Sequence, residues 1–399
     1  MYNIHFQLVK LKVLLFYFNI FQFWINHIKI IMNKNNYYYY NIFIYKISFK
    51  KMSLSLIFLS ILILIICLIC LRQYIKGGVC KNKHDMTNKI IIITGSSNGL
   101  GKESAFDLLN HNAKVIFACR SEERTMKVIN TLPENLRKNA TFMKLDVSSF
   151  KSTIDFVNEV KQKYDKIDIL MNNAGAMPIK FDWTEDNYDS YFISLYLGPF
   201  LLSALLMNHM NKDGDAKIIN LSSAMHLWPM IEKGDIQKYK NRDYMKAFYQ
   251  NSAGSKLYNN TKLFIIYMTQ YFAKVCEKNN LQIKNVCLHP GLVQSDFFAK
   301  INRSNILQSI TRYILNFVLN LVSKNPVEGS QTQLHLSYAN NAELINGGYY
   351  SDCKISKPGK KARDEEIRNE VVNWTIDELK NKFKDEEDIQ SLQYIEKLL

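Results

Sequence analysis

The stretch KIIIITGSSNGLG, residues 89–101, joins an unbroken apolar run to a glycine-rich segment. Four consecutive isoleucines that end at Thr94 and Gly95 are typical of a strand buried on both faces of a parallel sheet. Helical spacing begins in the segment that follows, KESAFDLLNHN at 102–112. The glycines therefore lie at a strand-to-helix junction, which predicts the start of a βαβ unit.

The same alternation recurs from Asn88 onward. Each further apolar run is separated from the next by a segment of helical length, and the runs are AKVIFACR (113–120), TFMKLDV (141–147), KIDILMNNAG (166–175), AKIINLSS (216–223) and QIKNVCLHPG (282–291). This alternation predicts an α/β fold, with a doubly wound parallel sheet in a single Rossmann-type domain. Ligands of such sheets bind beyond the carboxyl ends of the strands, so the residues directly after each run are the site candidates.

The glycine-rich segment is the candidate cofactor turn. Glycines at this junction let the backbone turn tightly and approach a pyrophosphate, while the helix N-terminus supplies N–H donors and a positive dipole end. The candidate residues are Gly95, Ser96, Ser97, Asn98, Gly99, Leu100 and Gly101.

The second apolar run ends in Cys119 and Arg120, where an NAD site usually has an acidic residue for the ribose 2′-hydroxyl. A guanidinium binds a 2′-phosphate with paired hydrogen bonds, whereas a carboxylate repels it. Arg120 therefore indicates NADP(H). The alternative is an arginine that is merely solvated at a strand end.

The net charge of +15 is concentrated in the N-terminal segment, because residues 1–84 contain 11 Lys or Arg and no Asp or Glu. The remainder has 40 basic and 36 acidic residues and no base-reading motif, so we expect no nucleic-acid partner. The seven cysteines are scattered without metal-ligand spacing, which predicts a reducing compartment and no metal site.

Residues 53–71 form an uncharged run, SLSLIFLSILILIICLICL, that just reaches the length of a membrane span. We expect a transmembrane anchor at 52–72, after a low-complexity extension at 1–51 in which Val13–Met32 is a weaker apolar candidate. A cleaved signal peptide is the alternative, but no small-residue cleavage site follows the run. If translation starts at Met52, the basic residues after the run favour a cytosolic catalytic domain; a start at Met1 leaves the orientation open.

Six motifs then occur in the order seen in short-chain dehydrogenases/reductases: TGSSNGLG (94–101), LDVSS (145–149), NNAG (172–175), NLSSA (220–224), YNNTK (258–262) and HPG (289–291). The chain most resembles the membrane-anchored, retinol dehydrogenase-like branch of that family, from about Asn88 to near Phe383, with GGYYSDC (347–353) included.

The resemblance implies a role for each matching position. Tyr258 would be the general acid/base, Lys262 would contact the nicotinamide ribose and lower the tyrosine's pKa, and Ser223 would hydrogen-bond the substrate oxygen. The remaining cofactor contacts would come from Asp146, Val147, Asn173, Ala174, Gly175, Pro290 and Gly291.

The chemistry of Tyr258 and Lys262 supports these roles independently. A helix places residues four apart on one face, about one turn from each other. A free phenol has a pKa of about 10, and a nearby ammonium favours the phenolate. Moving that pKa toward the working pH is what acid/base catalysis requires. A plain surface pair is the alternative for these two residues taken alone.

Two features depart from the family pattern. The segment LYLGPFLL (195–202) has Leu195 where relatives have an asparagine that helps to hold a water beside the lysine, and Pro199 where they have a histidine. Leucine cannot hold this water, so either a neighbour such as Tyr196 or a shifted water takes over, or turnover is impaired. In addition, Ser223 and Tyr258 are 35 positions apart, and the insertion between them is expected to form part of a substrate lid. Its aromatic residues fit an apolar ligand and packing under a loop equally well.

The predicted domain organisation continues with a linker at 73–87, the catalytic domain at 88–360 and a C-terminal helical extension at 361–399, whose charge pattern predicts an exposed helix. Residues 305–324 are expected to form an interfacial or substrate-covering helix rather than a span, because Arg312 interrupts them.

The sequence thus predicts an NADP(H)-dependent oxidoreductase acting on a lipophilic alcohol or carbonyl at a membrane, with the endoplasmic reticulum and a cytosol-facing domain expected. The sequence does not decide whether the protein forms a homodimer. The alternative is a catalytically impaired NADP(H)-binding sensor or scaffold, for which Leu195 is the reason.

Overall fold

The computed structural model describes residues 42–175, 180–211, 214–294 and 322–383. The chain divides into two compact units, Met1–Ile69 and Cys70–Leu399. Predictions made for residues 13–32, for most of 305–324 and for 384–399 lie outside the described residues.

Helix α1 spans Ile42–Lys76 and contains the predicted anchor at 52–72. Its large apolar side chains from Leu56 to Ile66 are about half exposed. Within the described ranges it is one of two helices that are long and apolar enough to cross a membrane, and the other, Ser190–His209, is mostly buried. A helix whose large apolar side chains are exposed to this extent is typical of a membrane segment.

Eight strands form one sheet in the order β3-β2-β1-β4-β5-β6-β7-β8. Strands β1 to β7 are parallel, and β8 pairs antiparallel with β7. The strands are β1 Ile90–Thr94, β2 Lys114–Cys119, β3 Ala140–Lys144, β4 Ile169–Asn172, β5 Ala216–Leu221, β6 Ile283–His289, β7 Tyr349–Ser351 and β8 Lys354–Ser356. The six predicted strands are confirmed.

Helices cover both faces of the sheet. They are α2 Gly99–Asn110, α3 Glu122–Ile129, α4 Glu134–Arg137, α5 Phe150–Lys163, α6 (Ser190–Phe192, the π-helical turn Ile193–Leu197 and Gly198–Leu206 in succession), α7 Arg242–Gln250, α8 Ser255–Lys278, α9 Pro326–Tyr338 and α10 Glu365–Lys382.

Each face of the sheet has its own apolar core. Ile92 of β1 joins the core formed with α5, α6, α8 and α10, whereas Ile91 and Ile93 join the core with α2, α3 and α9. Successive side chains of a strand point to opposite faces, so the unbroken isoleucine run supplies both cores. The predicted doubly wound architecture is confirmed.

The expectation of an exposed C-terminal helix is wrong for α10. Its side chains Ile367, Val371, Trp374 and Leu379 are buried in the core shared with α6 and α8. Charged residues such as Glu365, Glu366 and Asp377 are exposed on the outer face of the helix, whereas Arg368 is buried. Helix α10 therefore completes the core of this unit.

The insertion between Ser223 and Tyr258 contains the 3-10 turns Ala224–Leu227 and Asp235–Lys240 and helix α7. Tyr239 is buried, and its hydroxyl accepts a hydrogen bond from Asn260 at 2.8 Å. The backbone N–H of Gly234 donates to Glu370 of α10 at 2.8 Å. Of the two roles considered for the aromatic residues of the insertion, contact with an apolar ligand or packing under a loop, Tyr239 has the packing role. The boundaries of the predicted linker and extension stay predictions.

Candidate active site

Tyr258 and Lys262 lie one turn apart on α8, which begins after Gly254 in a left-handed conformation (φ +78°). Ser223 lies two residues after the end of β5, and its side chain is close enough to the Tyr258 phenol to lower the pKa of that phenol by hydrogen bonding. The Lys262 ammonium lies 5.5 Å from the centre of the Tyr258 ring. The structure thus brings the three predicted catalytic residues together at the carboxyl end of the sheet.

Lys262 is almost completely buried, at 3% exposure. Its Nζ donates to the carbonyl oxygen of Leu221 at 2.7 Å, and no carboxylate in the described ranges forms an ion pair with it. Burial lowers the pKa of this amine to about 7. Lys262 therefore gains or loses its proton near neutral pH in the protein without cofactor.

Burial raises the pKa of the Tyr258 phenol, and its hydrogen bond with Ser223 opposes this effect. The pKa of Tyr258 is therefore raised overall in the cofactor-free protein, and the expected lowering by Lys262 stays a prediction. Both groups are buried, so each loses the hydration that stabilises its charged form.

Leu195 lies in the π-helical turn of α6 and is fully buried. A Cβ atom built on Gly175 would be 3.0 Å from Leu195 Cδ2 and 3.6 Å from Lys262 Nζ, so leucine and lysine adjoin the same glycine. Tyr196 does not replace the missing asparagine, because its hydroxyl pairs with Thr375 Oγ1 at 2.9 Å. An apolar side chain thus adjoins the buried amine.

Hydrogen bonds join the glycine-rich turn after β1 to the turn after β4. Asn173 Nδ2 donates to the Thr94 carbonyl at 2.9 Å, and the N–H of Ala174 donates to Thr94 Oγ1 at 2.9 Å. A Cβ on Gly95 would lie 2.9 Å from Ala174 Cα, and one on Gly101 would lie 2.5 Å from Asn173 Nδ2. Glycine is required at both positions because the two turns approach so closely.

Gly99 is different, because a Cβ there would meet nothing within 4 Å. It has φ +56° and begins α2, so its surroundings form an open space at a helix N-terminus. An anionic group fits such a space, where N–H groups and the helix dipole favour negative charge. The described structure thus offers room for a cofactor phosphate where the sequence predicts one.

Other predicted turn residues have side chains engaged with protein. Ser96 Oγ donates to the Ile93 carbonyl at 3.0 Å, and Asn98 caps α2 by accepting from the N–H of Gly99 at 2.8 Å. Leu100 packs against Gly329 of α9. These residues can therefore serve a cofactor chiefly through their backbone.

Arg120 is two-thirds exposed, and its guanidinium lies 3.8 Å from a carboxylate oxygen of Asp146. The hydroxyl of Ser148 donates to the other oxygen of Asp146 at 2.6 Å. Val147 is partly buried against Gly198 of α6. Arg120 and Asp146 therefore form one polar pair at the ends of β2 and β3.

Pro290 and Gly291 follow β6, whose residue Leu288 pairs with Leu221 of β5. The N–H of Gly291 donates to His289 Nδ1 at 3.0 Å, and Gly291 has φ +94°. The aliphatic part of Lys324 covers this glycine, while its ammonium contacts Asp352 at 2.6 Å. The HPG turn thus lies beside the end of the strand that carries Ser223.

Sequence reasoning missed two groups that shape the site. Ser222 Oγ donates to the carbonyl of Lys262 at 2.7 Å and so fastens β5 to α8. Asn172 Nδ2 donates to Ser203 at 2.9 Å and to Asn220 at 2.7 Å beneath the site. The adjacent serines of NLSSA were a signal for Ser222, but only the second was assigned a role. No group of three or more metal-binding side chains lies within the described ranges.

Comparison with known proteins agrees with this geometry. A family profile described as short chain dehydrogenase matches residues 89–234. Retinol dehydrogenase 12 of Mus musculus is 31% identical over 307 residues, which cover 76% of this chain and 90% of that protein. Retinol dehydrogenase 13 of Mus musculus is 28% identical over 308 residues, with coverage of 77% and 88%.

Among solved structures, an uncharacterised protein from Mycobacterium paratuberculosis matches with a TM-score of 0.57 at 17% identity, covering 76% of this chain and 98% of that one. L-sorbose reductase from Gluconobacter frateurii, complexed with NADPH and L-sorbose, matches with a TM-score of 0.51 at 20% identity, covering 67% and 95%. These two likenesses support the fold. By its fold, its motifs and its relatives, the chain belongs to the short-chain dehydrogenase/reductase family, in the retinol dehydrogenase-like branch.

Proposed function

We propose that the chain is an NADP(H)-dependent oxidoreductase that interconverts a lipophilic alcohol and its aldehyde or ketone at a membrane. The observation that carries this proposal is the placement of Tyr258 next to Ser223 and to the buried amine of Lys262, whose Nζ lies 5.5 Å from the centre of the Tyr258 ring. A phenol, a hydroxyl and an amine at the carboxyl end of a parallel sheet can bind and protonate a carbonyl oxygen.

Each side chain has a defined task in the reductive direction. The Ser223 hydroxyl donates a hydrogen bond to the substrate oxygen, and Tyr258 Oη donates the proton that this oxygen gains. Lys262 in its ammonium form stabilises the phenolate left on Tyr258. When bound, NADPH supplies the hydride. In the oxidative direction the same proton returns to Tyr258.

The glycine turn and its neighbours would hold the cofactor. Gly95, Gly99 and Gly101 give a pyrophosphate access to the backbone N–H groups at the start of α2. Arg120 would bind the 2′-phosphate, leaving its 3.8 Å contact with Asp146. The exposed position of Arg120 supports this role because a partly solvated guanidinium remains available to an incoming anion.

A lipophilic substrate is supported by three exposed apolar side chains that lie close in the chain to predicted site residues. Trp228, Met230 and Leu292 are 58%, 53% and 56% exposed, and they follow Ser223 and Gly291 closely in the chain. Retinol, named in the relatives, is a lipophilic alcohol. The apolar surface of α1 supports membrane attachment, for which we propose the endoplasmic reticulum with the catalytic unit in the cytosol.

The test uses the full-length chain in detergent with NADPH and a panel of apolar aldehydes and ketones, including retinal. We expect loss of NADPH absorbance with at least one carbonyl, abolished in Tyr258→Phe and unchanged in Tyr244→Phe. Tyr244 is a partly buried tyrosine of α7 outside the site. Tight NADPH binding without turnover of any carbonyl would instead favour the alternative function, a catalytically impaired NADP(H)-binding sensor, for which Leu195 is the reason.

The cofactor assignment is tested in the same assay. Arg120→Glu should shift the preference from NADPH toward NADH, because a carboxylate repels the 2′-phosphate. Lys114→Glu, at the opposite end of the same strand, is the matched control and should leave the preference unchanged. A wild-type preference for NADH would contradict the role proposed for Arg120.

A further inference from the structure

His226 is a buried histidine that the proposed reaction does not use. It lies three residues after Ser223, in the 3-10 turn Ala224–Leu227, and is 2% exposed. A buried imidazole is stable only when its ring nitrogens are satisfied. Its partners are therefore informative about what this turn does.

Two hydrogen bonds define the state of the ring. The backbone N–H of Gly359 donates to Nε2 at 2.9 Å, so Nε2 is the acceptor and carries no proton. The proton then resides on Nδ1, which donates to the carbonyl oxygen of Ser223 at 2.6 Å. If Nε2 were protonated, its N–H would point at the backbone N–H of Gly359, and the two donors would repel each other. His226 is thus held neutral, in one tautomer, between Ser223 and Gly359.

The second partner, Gly359, is itself fixed in place. A Cβ on Gly359 would lie 3.1 Å from Leu227 Cδ2 and 3.5 Å from the His226 ring, so the segment packs closely on the serine turn. Two residues further on, the carbonyl of Lys361 accepts a hydrogen bond from Tyr267 at 2.7 Å. Tyr267 belongs to α8, the helix that carries Tyr258 and Lys262.

The ring faces of this region are packed as well. His226 lies 4.9 Å from Tyr349 of β7, measured between ring centres, and Tyr349 stacks on His289 of the HPG turn at 6.3 Å. Met225 donates its N–H to Ser223 Oγ at 3.3 Å, so the same turn also orients the hydroxyl. The backbone and side chain of Ser223 are therefore both set by the turn that His226 anchors.

We infer that His226 is a positioning residue that aims the Ser223 hydroxyl at Tyr258 and the substrate oxygen by holding the Ser223 carbonyl against the segment at Gly359. This inference rests on the proposed function for its kinetic consequence only. The interaction between Ser223 and Tyr258 is present without substrate and can be measured separately.

Two substitutions distinguish the contribution of Nδ1 of His226 from that of Nε2. Asn at position 226 offers an amide donor where Nδ1 lies, whereas Gln offers its amide where Nε2 lies. His226→Gln should therefore lose the bond to the Ser223 carbonyl, and His226→Asn should keep it. His335→Gln is the control, because His335 is a partly buried histidine of helix α9 that also forms a contact through Nδ1, to Asn82 at 3.1 Å.

In full-length protein in detergent, His226→Gln should lower kcat about 10- to 100-fold, because a displacement of about 1 Å can slow a reaction to this extent. The Kd for NADPH should not change, and the melting temperature should fall only modestly, because one buried hydrogen bond is lost. His226→Asn should recover kcat to within about threefold of wild type by restoring the donor, and His335→Gln should match wild type.

A measurement that needs no turnover accompanies the kinetics. In protein labelled with ¹³C at the tyrosine ring carbon that bears the hydroxyl, the Tyr258 resonance is assigned with Tyr258→Phe and titrated with pH. Loss of the Ser223 hydrogen bond should raise the pKa of Tyr258 in His226→Gln and leave it unchanged in His226→Asn. If wild type turns over no substrate, this titration still tests the inference.

Two results would overturn the positioning role. One is a His226→Gln protein with wild-type kcat and an unchanged Tyr258 titration. The other is a parallel loss of kcat, NADPH affinity and melting temperature that Asn fails to rescue, since this would make His226 a packing residue only.

Discussion

Lys262 combines a cationic group with an apolar site. Its Nζ has the Leu221 carbonyl as hydrogen-bond partner, and Leu195 adjoins the same region of the site. Desolvation disfavours the ammonium, and one carbonyl compensates only part of the hydration lost. The amine therefore reduces the stability of the cofactor-free fold in exchange for a chemical function, as is common at active sites.

Replacing this amine should stabilise the fold. Lys262→Met removes a buried titratable group at similar volume, and we expect a higher melting temperature, by about 2–4 °C for each kcal/mol gained, with loss of turnover. The pKa of Lys262 lies near 7 in the folded chain and near its ordinary value, 10.5, in the unfolded chain. Stability is therefore lost as pH falls from 10.5 toward 7, and the gain from Met should be larger at pH 6 than at pH 9.

Thermal scans at both pH values check this prediction. Lys217→Met is the matched contrast, because Lys217 is equally buried but paired with Asp215 at 2.8 Å. Losing that pair should lower the melting temperature. A Lys262→Met protein less stable than wild type at pH 6 would contradict the explanation.

Leu195→Asn tests whether the departure from the family pattern limits turnover. We expect kcat to change less than about threefold, because Lys262 already has the Leu221 carbonyl as partner. The melting temperature should fall, since a polar group replaces a fully buried leucine at a cost of about 2–5 kcal/mol. Leu195→Met, which conserves volume, is the control. A large rise in kcat would mean that the leucine impairs proton movement near Lys262.

Residue identity made part of this site predictable. Tyr258, Lys262 and Ser223 follow apolar runs or share a helix face, so topology alone brings them together. His226 and Ser222 act through bonds to backbone carbonyls, which every residue has, so no sequence pattern indicates their partners. The direction of the Tyr258 pKa shift could likewise not be predicted from the sequence, because it depends on the burial of the phenol rather than on residue spacing.

At the scale of elements, α10 is a structural member of the sheet domain. Trp374 packs against Phe192 at 6.1 Å and Tyr188 at 6.3 Å between ring centres, and it is nearly fully buried. Helix α10 also contacts the insertion through Glu366, Glu370 and Glu378. The C-terminal helix thus supports the insertion that carries the serine turn.

Trp374→Ala should destabilise the fold by about 3–5 kcal/mol, the usual loss for removing a large buried ring. Asp377→Ala, on the exposed side of the same helix, should stay within about 0.5 kcal/mol of wild type. Chemical denaturation of both variants measures the difference. Equal stability would mean that α10 detaches from the core in solution.

The helices and strands differ in how well they can be predicted from the sequence. Strands β1 to β6 are short apolar runs ended by polar or glycine residues, and this pattern can be recognised without knowledge of the packing. Strands β7 and β8 have three residues each, too few to show a period. Helix α10 alternates charges with apolar residues, and only the neighbouring helices α6 and α8 determine which side is buried.

At the scale of the whole molecule, the two units predict where the chain can be divided. Arg72 contacts Glu328 with an N–O distance of 2.7 Å, and Cys80 and Met86 are buried, all within Cys70–Leu399. Residues 70–399 should therefore keep the activity of the full chain without binding vesicles. Residues 84–399 should be less stable, because they lack Arg72 and Cys80.

Vesicle flotation and thermal scans of the two truncated proteins check both statements. Persistent flotation of residues 70–399 would mean that a second surface binds the membrane. Equal stability of the two proteins would show that the contacts of Arg72 and Cys80 contribute little to the fold.

The buried amine of Lys262, which has a carbonyl rather than a carboxylate as partner, has a thermodynamic consequence for ligand binding. Above pH 7 it is largely neutral in the free protein, but ribose hydroxyl oxygens beside it would favour the ammonium. Cofactor association should then take up a proton from the buffer. Calorimetric titrations in buffers of different ionisation heats would reveal this uptake as a buffer-dependent enthalpy, largest near pH 8 and absent in Lys262→Met.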